Sequence, residues 1–275
     1  MNIDIFHIGP QKCATTWVYE CLQEHPQIFC PKSDSIHYYD VHYQKGNRWY
    51  ESWFLNAQSG QKLYDPTPSY IRSPLAAERI AKEHPDAKLI VCLRNPLDRA
   101  FAHYWHEKKK QSISYEFDQV FSNYDLFQSY VETSLYSTHL KRYFGVFPKD
   151  SILIQRFEDL ERNPVAFFAQ LCKHCEIDLV TPSVIYRKRN SAGPIQKPAR
   201  RVISEITDKA LGFAPTEAAD RFRKSPFYRF LSGRGEYLEG VAPQTRKDLE
   251  EIFFADIERL EQMTGQDFSI WKNLG

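Results

Sequence analysis

A chain of 275 residues with 42% hydrophobic and 26% charged residues has a globular composition, which excludes a disordered or fibrous protein. Its formal net charge of +1 excludes a global electrostatic grip on nucleic acid or an anionic membrane, so any anion site must be local. No apolar run reaches the roughly 20 residues of a membrane span, and no charged-then-apolar leader precedes the first strand-like segment. The expectation is a soluble, cytoplasmic protein with no membrane or nucleic-acid partner.

Ile3 to Ile8 reads as a short buried strand, Gly9 to Ala14 as a tight turn, and Thr15 to Leu22 as a helix opening at a threonine pair. A strand running into a helix N-terminus gathers backbone N–H groups and the positive end of the helix dipole at one point, which suits an anion. The spacing departs from the Gly-x4-Gly-Lys-Ser/Thr phosphate loop, because Lys12 stands three residues ahead of Thr15. Cys13 and Ala14 are small where backbone must approach a ligand. An ordinary strand–helix turn with an exposed lysine is the competing reading.

The first helix stops at Glu24-His25-Pro26, and Gln27 to Phe29 leads into a loop running from Pro31 to Asp40. Trp49 to Phe54 is helical in period, and the aromatic residues between Tyr38 and Phe54 read either as a lined acceptor pocket or as a core corner. Lys62 to Asp65 reads as a strand that breaks into the proline-constrained loop Pro66 to Tyr70, and Pro74 opens a helix through Glu83. Lys88 to Leu93 is a continuous apolar run, as expected of a parallel-sheet strand buried on both faces. It ends in Arg94-Asn95-Pro96, where Asn95 can cap and Pro96 can begin the next helix, to about Lys110. That is a second strand–turn–helix junction, with an arginine at the sheet edge where ligands of open α/β sheets bind.

The spacing then predicts one helical stretch from Asp125 to Phe144, a strand from Ser151 to Phe157 and a helix from Pro164. Arg187-Lys188-Arg189 opens a basic loop, a helix is expected from Pro198 to Leu211, and Thr245 to Met263 is amphipathic. Strands alternating with helices make the fold class α/β, a central parallel sheet flanked by helices. No linker divides the chain, so a single domain over 1–275 is expected. Six cysteines show no disulfide spacing. Cys172-Lys173-His174-Cys175 has zinc-like spacing without a second pair, so no metal is expected.

With both junctions read, the chain resembles the sulfotransferases that use 3′-phosphoadenosine 5′-phosphosulfate (PAPS), most of all their bacterial and carbohydrate-type branch, a P-loop-like nucleotide-binding fold. The resemblance is carried by Gly9–Pro26, Ile36–Asp40, Tyr64–Ile71, Leu89–His106, Ile152–Pro164 and Thr245–Trp271. The first and fourth blocks are specific in combination; the others support them. The resemblance implies that Lys12 contacts the bridging oxygen of the leaving phosphate, with Gln11, Cys13, Ala14, Thr15, Thr16 and Trp17 forming the 5′-phosphosulfate loop. It implies Arg94 at the 3′-phosphate, no Mg²⁺, release of 3′,5′-ADP, and a hydroxyl or amine acceptor on a small molecule or carbohydrate.

Two departures from the family pattern matter. Eight residues after Arg94 the family has a phosphate-binding serine and this chain has Ala102, a loss of about 1.5–3 kcal/mol if nothing replaces that hydrogen bond. Arg189 with its basic neighbours, or Arg200 and Arg201, are the candidate replacements, against a solvated surface turn. The usual glutamate base is replaced by Ser35. His37, whose unperturbed pKa of about 6.5 suits general-base work, is the leading substitute, with Asp40 and Asp65 behind it and Asp34 a weaker candidate. A phenolic acceptor needing little help is a further option. The competing functions are a catalytically degenerate nucleotide-binding scaffold and an ATP-dependent P-loop-like kinase. Assembly is open, with a homodimer the common arrangement for soluble enzymes.

Overall fold

The computed structural model describes residues 1–109, 115–186 and 241–272. Strands β1 (Ile5–Gly9), β2 (Ile28–Phe29), β3 (Lys62–Asp65), β4 (Lys88–Leu93) and β5 (Ile152–Arg156) form one sheet in the order β2-β3-β1-β4-β5. Every pairing is parallel. The apolar runs explain the centre of the sheet: all of β1 is buried, as is β4 from Leu89 onward. The two-residue β2, read as loop from the sequence, pairs Ile28 and Phe29 with Lys62 and Leu63 at the sheet edge. It is too short to show a period.

Side chains alternate across the sheet. Phe6, Ile8, Leu89, Val91, Ile152 and Ile154 join one core with Tyr38, Tyr39, Tyr50, Tyr70, Tyr136 and Trp271. Ile5, Tyr64, Ile90 and Cys92 join the other, against α1 (Thr15–Gln23) and α8 (Pro164–Cys175). Between these come α2 (Asn47–Glu51), α3 (Ala76–Glu83), α4 (Pro96–Lys109), the single turn α5 (Tyr124–Leu126), α6 (Tyr136–Phe144) and α7 (Phe157–Arg162). Helix α9 (Pro243–Thr264) buries Leu249, Phe253, Ile257 and Leu260, four of the five residues its period marks; Ile252 is half-buried. The third helix begins at Ala76 rather than at Pro74.

The long helix expected from Asp125 to Phe144 is broken. A π-helical turn spans Phe127–Val131, a 3-10 turn spans Glu132–Ser134, and regular helix resumes at Tyr136. The physical cause is diversion of carbonyls: Arg99 takes those of Ser129 and Tyr130, Ser134 Oγ also donates to Tyr130, and Thr133 Oγ1 donates to Gln128. Side chains that satisfy backbone groups this way compete with the helical ladder. The aromatic segment is a core corner. Tyr38, Tyr39, Tyr50 and Phe54 are at most 2% exposed, with Tyr38 and Tyr50 stacked at 4.3 Å, so these four rings belong to the core, while Tyr43, Trp49 and Trp53 stay half-buried.

At the end of β1, Gly9 has φ +108° and its α carbon faces the Pro66–Tyr70 loop so closely that a β carbon would stand 1.8 Å from the Pro68 carbonyl oxygen. Both the positive φ and the missing side chain are required there. Gly9→Ala is expected to destabilise the fold by about 3 kcal/mol or more, measured by urea unfolding; a change within 1 kcal/mol would mean that this close approach is not a constraint.

Candidate active site

The chain leaves β1 to build β2 and β3 on one side, and returns to build β4 and β5 on the other. The crevice between the carboxyl ends of β1 and β4 is therefore the switch point at which open α/β sheets bind ligands. The β1–β4 register runs Ile5 with Lys88 to Gly9 with Val91, which sets the Lys12 turn beside the Arg94 turn. The sheet itself brings the two sequence-predicted anion sites together.

In the first turn Lys12 and Ala14 both adopt the left-handed region, at φ 70° and 65°. Each such residue costs about 1–2 kcal/mol relative to glycine, and strain of this kind concentrates at ligand sites. Helix α1 starts from Ala14, which offers no side-chain cap, so the first-turn N–H groups lack that partner. Gln11, Lys12, Ala14, Thr15 and Thr16 are half-buried around this turn, while the Cys13 side chain is fully buried. Cys13 can therefore offer a ligand its backbone only, and burial pushes its thiol up to about 12, a neutral S–H.

In the second turn Asn95 caps α4 by accepting from the N–H groups of Leu97 and Asp98. Its own N–H goes to Glu158 and its side chain to the Trp271 carbonyl. Arg94 sits over the Phe157 ring at 4.8 Å and 4.0 Å from Asp98. Burial works against its charge, but Asp98, Glu161 and Glu158 more than offset that and hold its pKa above the ordinary value. The guanidinium stays charged and pairs only loosely with Asp98, which suits an arginine awaiting a phosphate. Tyr136, which sequence reasoning did not single out, supports the second turn: its hydroxyl donates to the Arg94 carbonyl at 2.8 Å. A lone buried tyrosine opening a helix gives no signal of that role.

The third element joins the segment after β2, which carries His37 and Asp40, to the loop after β3, which carries Ser69. His37 Nδ1 lies 3.2 Å from Asp40 Oδ2 and 3.0 Å from Ser69 Oγ, while the Ser69 hydroxyl donates to the same Asp40 oxygen. With the Ser69 proton committed, Nδ1–H is the donor within the cluster, so Nε2 carries the lone pair of the neutral ring. The hydrogen bond to Asp40 raises the His37 pKa against partial burial. Burial pushes Asp40 up, but hydrogen bonds from His37 and Ser69 outweigh it and leave its pKa lowered. His37 is itself left-handed, φ 58°, and its side chain is 35% exposed. Ser69 had no signal in the sequence beyond its place in the proline-rich loop.

Asp65 is fully buried and accepts from Tyr50 (2.7 Å), Tyr70 (2.9 Å) and both the N–H and hydroxyl of Thr67. Burial raises its pKa against those four donors. Thr67 Oγ1 in turn accepts from the N–H of Ile36 and of His37, and Tyr70 Oη from that of Tyr38. Asp65 therefore holds the His37 loop in place from behind. The Ser35 hydroxyl donates to the Asp34 carbonyl, a purely local contact.

Other expected residues lie elsewhere. Trp17 is 6% exposed, donates to the Ile185 carbonyl and packs edge-on against Phe167 and Phe168, so its ring belongs to the core and not to the phosphate loop. Ala102 is 1% exposed, which leaves it no open surface for a phosphate. Arg187, Lys188, Arg189, Arg200, Arg201 and the helix expected over 198–211 lie outside the described residues. Cys172 and Cys175 are free, buried thiols in α8, and no metal-binding cluster is found among the described residues. No described helix is long and apolar enough to cross a membrane.

Comparison with known proteins bears on the same arrangement. The sulfotransferase domain family model matches residues 2–192. The human heparan sulfate glucosamine 3-O-sulfotransferase 6 is 27% identical over 95% of this chain and 71% of its own length. The mouse heparan sulfate glucosamine 3-O-sulfotransferase 3B1 is 31% identical over 95% of this chain and 63% of its own. The human bifunctional heparan sulfate N-deacetylase/N-sulfotransferase 2 is 30% identical over 66% of this chain, which spans 22% of that protein. In fold, a sulfotransferase from Alicyclobacillus acidocaldarius superposes with TM-score 0.73 at 20% identity, covering 99% of this chain and all of the other. The sulfotransferase domain of the curacin biosynthetic pathway superposes with TM-score 0.53 at 15% identity over 71% of this chain and 81% of its own.

The His37–Asp40 pair has a titration signature. The native pKa of His37 lies above its ordinary 6.5, so protonated His37 stabilises the fold below about pH 6.5, and that contribution fades as pH rises through the native value. Asp40→Asn is expected to move the His37 midpoint, followed by NMR, down to 6.5 or below. It should also lower Tm more at pH 5.5 than at pH 8.5. An unmoved midpoint would detach Asp40 from His37.

Proposed function

We propose that this chain, which belongs to the sulfotransferase domain family, transfers the sulfuryl group of PAPS to a hydroxyl or amine of a carbohydrate or small-molecule acceptor and releases 3′,5′-ADP. As a family member it is a sulfotransferase enzyme with a single α/β domain. The observation that carries the donor assignment is the pairing of β1 with β4, which sets two cationic turns side by side at one sheet edge. A nucleotide with phosphates at both the 5′ and 3′ positions has the two anionic ends such a crevice calls for.

In this reading Arg94 holds the 3′-phosphate, and the Lys12 turn with the N–H groups opening α1 holds the 5′-phosphosulfate. His37 Nε2 takes the proton of the acceptor hydroxyl as its oxygen forms a bond to sulfur. The bond from sulfur to the bridging oxygen breaks, and its electron pair stays on the departing 5′-phosphate, where Lys12 meets the growing charge. Interactions that strengthen only as this charge develops accelerate the step. Asp40 and Ser69 hold the His37 ring in the tautomer that exposes Nε2 and stabilise the imidazolium. Asp65 serves as the internal anchor of that loop, and Asp34 has no part. The family relatives named for heparan sulfate glucosamine favour a sugar acceptor. The six free cysteines support a reducing, cytoplasmic compartment.

Calorimetric titration with 3′,5′-ADP and 5′-AMP tests the donor site. Tighter binding of 3′,5′-ADP, by tenfold or more, is the expected outcome, and Arg94→Ala should erase the difference. Equal binding would remove the 3′-phosphate assignment, and binding of ATP–Mg²⁺ alone would replace the reading with a kinase. Lys12→Ala should cut transfer by about 10²–10³-fold, the range for losing a key charge-stabilising group, while Tm changes little. For His37→Gln a loss of kcat with KM held is expected; full activity would return the proton to another base.

A further inference from the structure

The Pro66–Tyr70 loop runs into a single 3-10 turn, Tyr70–Arg72, entered through Ser69. The Arg72 N–H donates to the Ser69 carbonyl at 3.2 Å, and the Ser73 N–H donates to that of Tyr70 at 3.0 Å. Side chains three residues apart in such a turn eclipse one another, about 6 Å apart along its axis. The Ser69 side chain faces the acid–base cluster, its hydroxyl 3.0 Å from His37 Nδ1. Arg72 therefore leaves the backbone on the same face of the turn. The turn is firmly held: the Tyr143 hydroxyl donates to the Tyr70 carbonyl at 2.7 Å, and Arg142 donates to the Ile71 carbonyl at 3.0 Å. The backbone of Arg72 is thus fixed while its side chain is exposed.

That side chain has no hydrogen bond or ion pair among the described residues, whereas Arg156 and Arg246 each face a carboxylate. The carboxylates of this region are committed: Asp40 is held by His37 and Ser69, and Asp65 is fully buried among its own donors. Arg142, the second cation on the turn, also pairs with no carboxylate among the described residues. Two guanidiniums on one turn without an acid create a local positive potential. The largest influence on the His37 pKa is the Asp40 hydrogen bond, which raises it, and the Arg72 charge acts in the opposite sense. A cation beside a base that must become an imidazolium works against the proton transfer. The cluster by itself gives no reason to keep Arg72 there; a bound anion does.

We propose that Arg72 is a specificity-determining residue that binds a carboxylate or sulfate on the acceptor, so that the preferred acceptor is an acidic sugar or small molecule whose anionic group stands beside the hydroxyl facing His37. This inference rests on the sulfuryl-transfer reading above and names the acceptor class which that reading leaves open. A planar guanidinium takes either anion through two parallel N–H···O bonds, and the fixed turn beneath it sets the register between anion and hydroxyl. Binding also relieves the conflict with His37, because the acceptor's negative charge offsets Arg72 as the imidazolium forms. The pair lies at the surface, so the preference weakens as salt is raised.

The test uses two matched pairs of acceptors: p-nitrophenyl glucuronide against p-nitrophenyl glucoside, and p-nitrophenyl N-acetylglucosaminide 6-sulfate against its unsulfated parent. Transfer from PAPS and binding to the 3′,5′-ADP complex are measured for wild type, Arg72→Gln and Arg72→Lys. Wild type should prefer the acidic member of at least one pair by about tenfold or more in kcat/KM; which pair responds tells carboxylate from sulfate. Arg72→Gln should bring that ratio to about one, and Arg72→Lys should keep part of it. The His37 midpoint, followed by NMR, should rise in Arg72→Gln. A midpoint that stays put separates the guanidinium from the cluster and overturns the inference. So does a wild type that treats both pairs alike or uses none of the four acceptors. Equal losses on acidic and neutral members in Arg72→Gln assign the arginine to the transferring group and overturn it as well, and a lower Tm with an unchanged ratio makes the residue structural. Failure of wild type to prefer 3′,5′-ADP over 5′-AMP refutes the donor reading instead, a result that the Arg72 variants cannot mimic.

Discussion

Parallel pairing of β1 with β4 is the constraint from which the rest of the molecule follows. Parallel strands need a crossover, and here the chain fills it with the whole β2–β3 excursion before returning. Because the excursion goes to one side and the continuation to the other, the carboxyl ends of these two strands flank a crevice. Two turns that are far apart in sequence then meet at one edge, each delivering a cation and a helix N-terminus. The requirement for Gly9 belongs to the same constraint: β1 can end beside the Pro66–Tyr70 loop only if no side chain stands between them.

The acid–base side of the site depends on a buried carboxylate. Asp65 loses its hydration, which disfavours its charge, and four donors replace that water. Hydrogen bonds to charged groups are worth about 1.5–3 kcal/mol each, so the network is favourable only when complete. The oxygens that serve Asp65 also receive the N–H groups of Ile36, His37 and Tyr38. The backbone of the His37 loop is thereby fixed through the same atoms that satisfy Asp65, and this permits His37 to hold a left-handed conformation that would relax on a free loop. An Asp–His–Ser cluster at the surface thus rests on an Asp–Thr–Tyr cluster beneath it.

The sheet was legible because its strands are continuous apolar runs, and the two turns were legible because glycine, proline, lysine and asparagine carry local geometry in their own chemistry. The break after Leu126 was not, since it depends on Arg99 reaching across from another helix to take two carbonyls; a propensity reading of residues 125–144 contains no trace of that arginine. Trp17 shows the same limit. It sits in the loop's sequence pattern, and only the fold shows its ring packed edge-on against Phe167 and Phe168. The aromatic run from Tyr38 to Phe54 could have been pocket or core, and the choice was made by Asp65, which draws Tyr50 and Tyr70 inward. His37 was found by its place in a motif, but its partner Ser69 lies 32 residues away and could be joined to it only in three dimensions.

The donor crevice carries two features that are unfavourable in the protein alone: left-handed Lys12 and Ala14, and an α1 terminus without a side-chain cap. Each would be improved by a simpler choice, a glycine or a serine, were stability the only requirement. Both sit at one point between β1 and β4, where an anion would meet the free N–H groups of α1. A fold that keeps separate strains pointing at one missing group is shaped around that group, and its ligand-bound state is the one in which its local and global preferences agree.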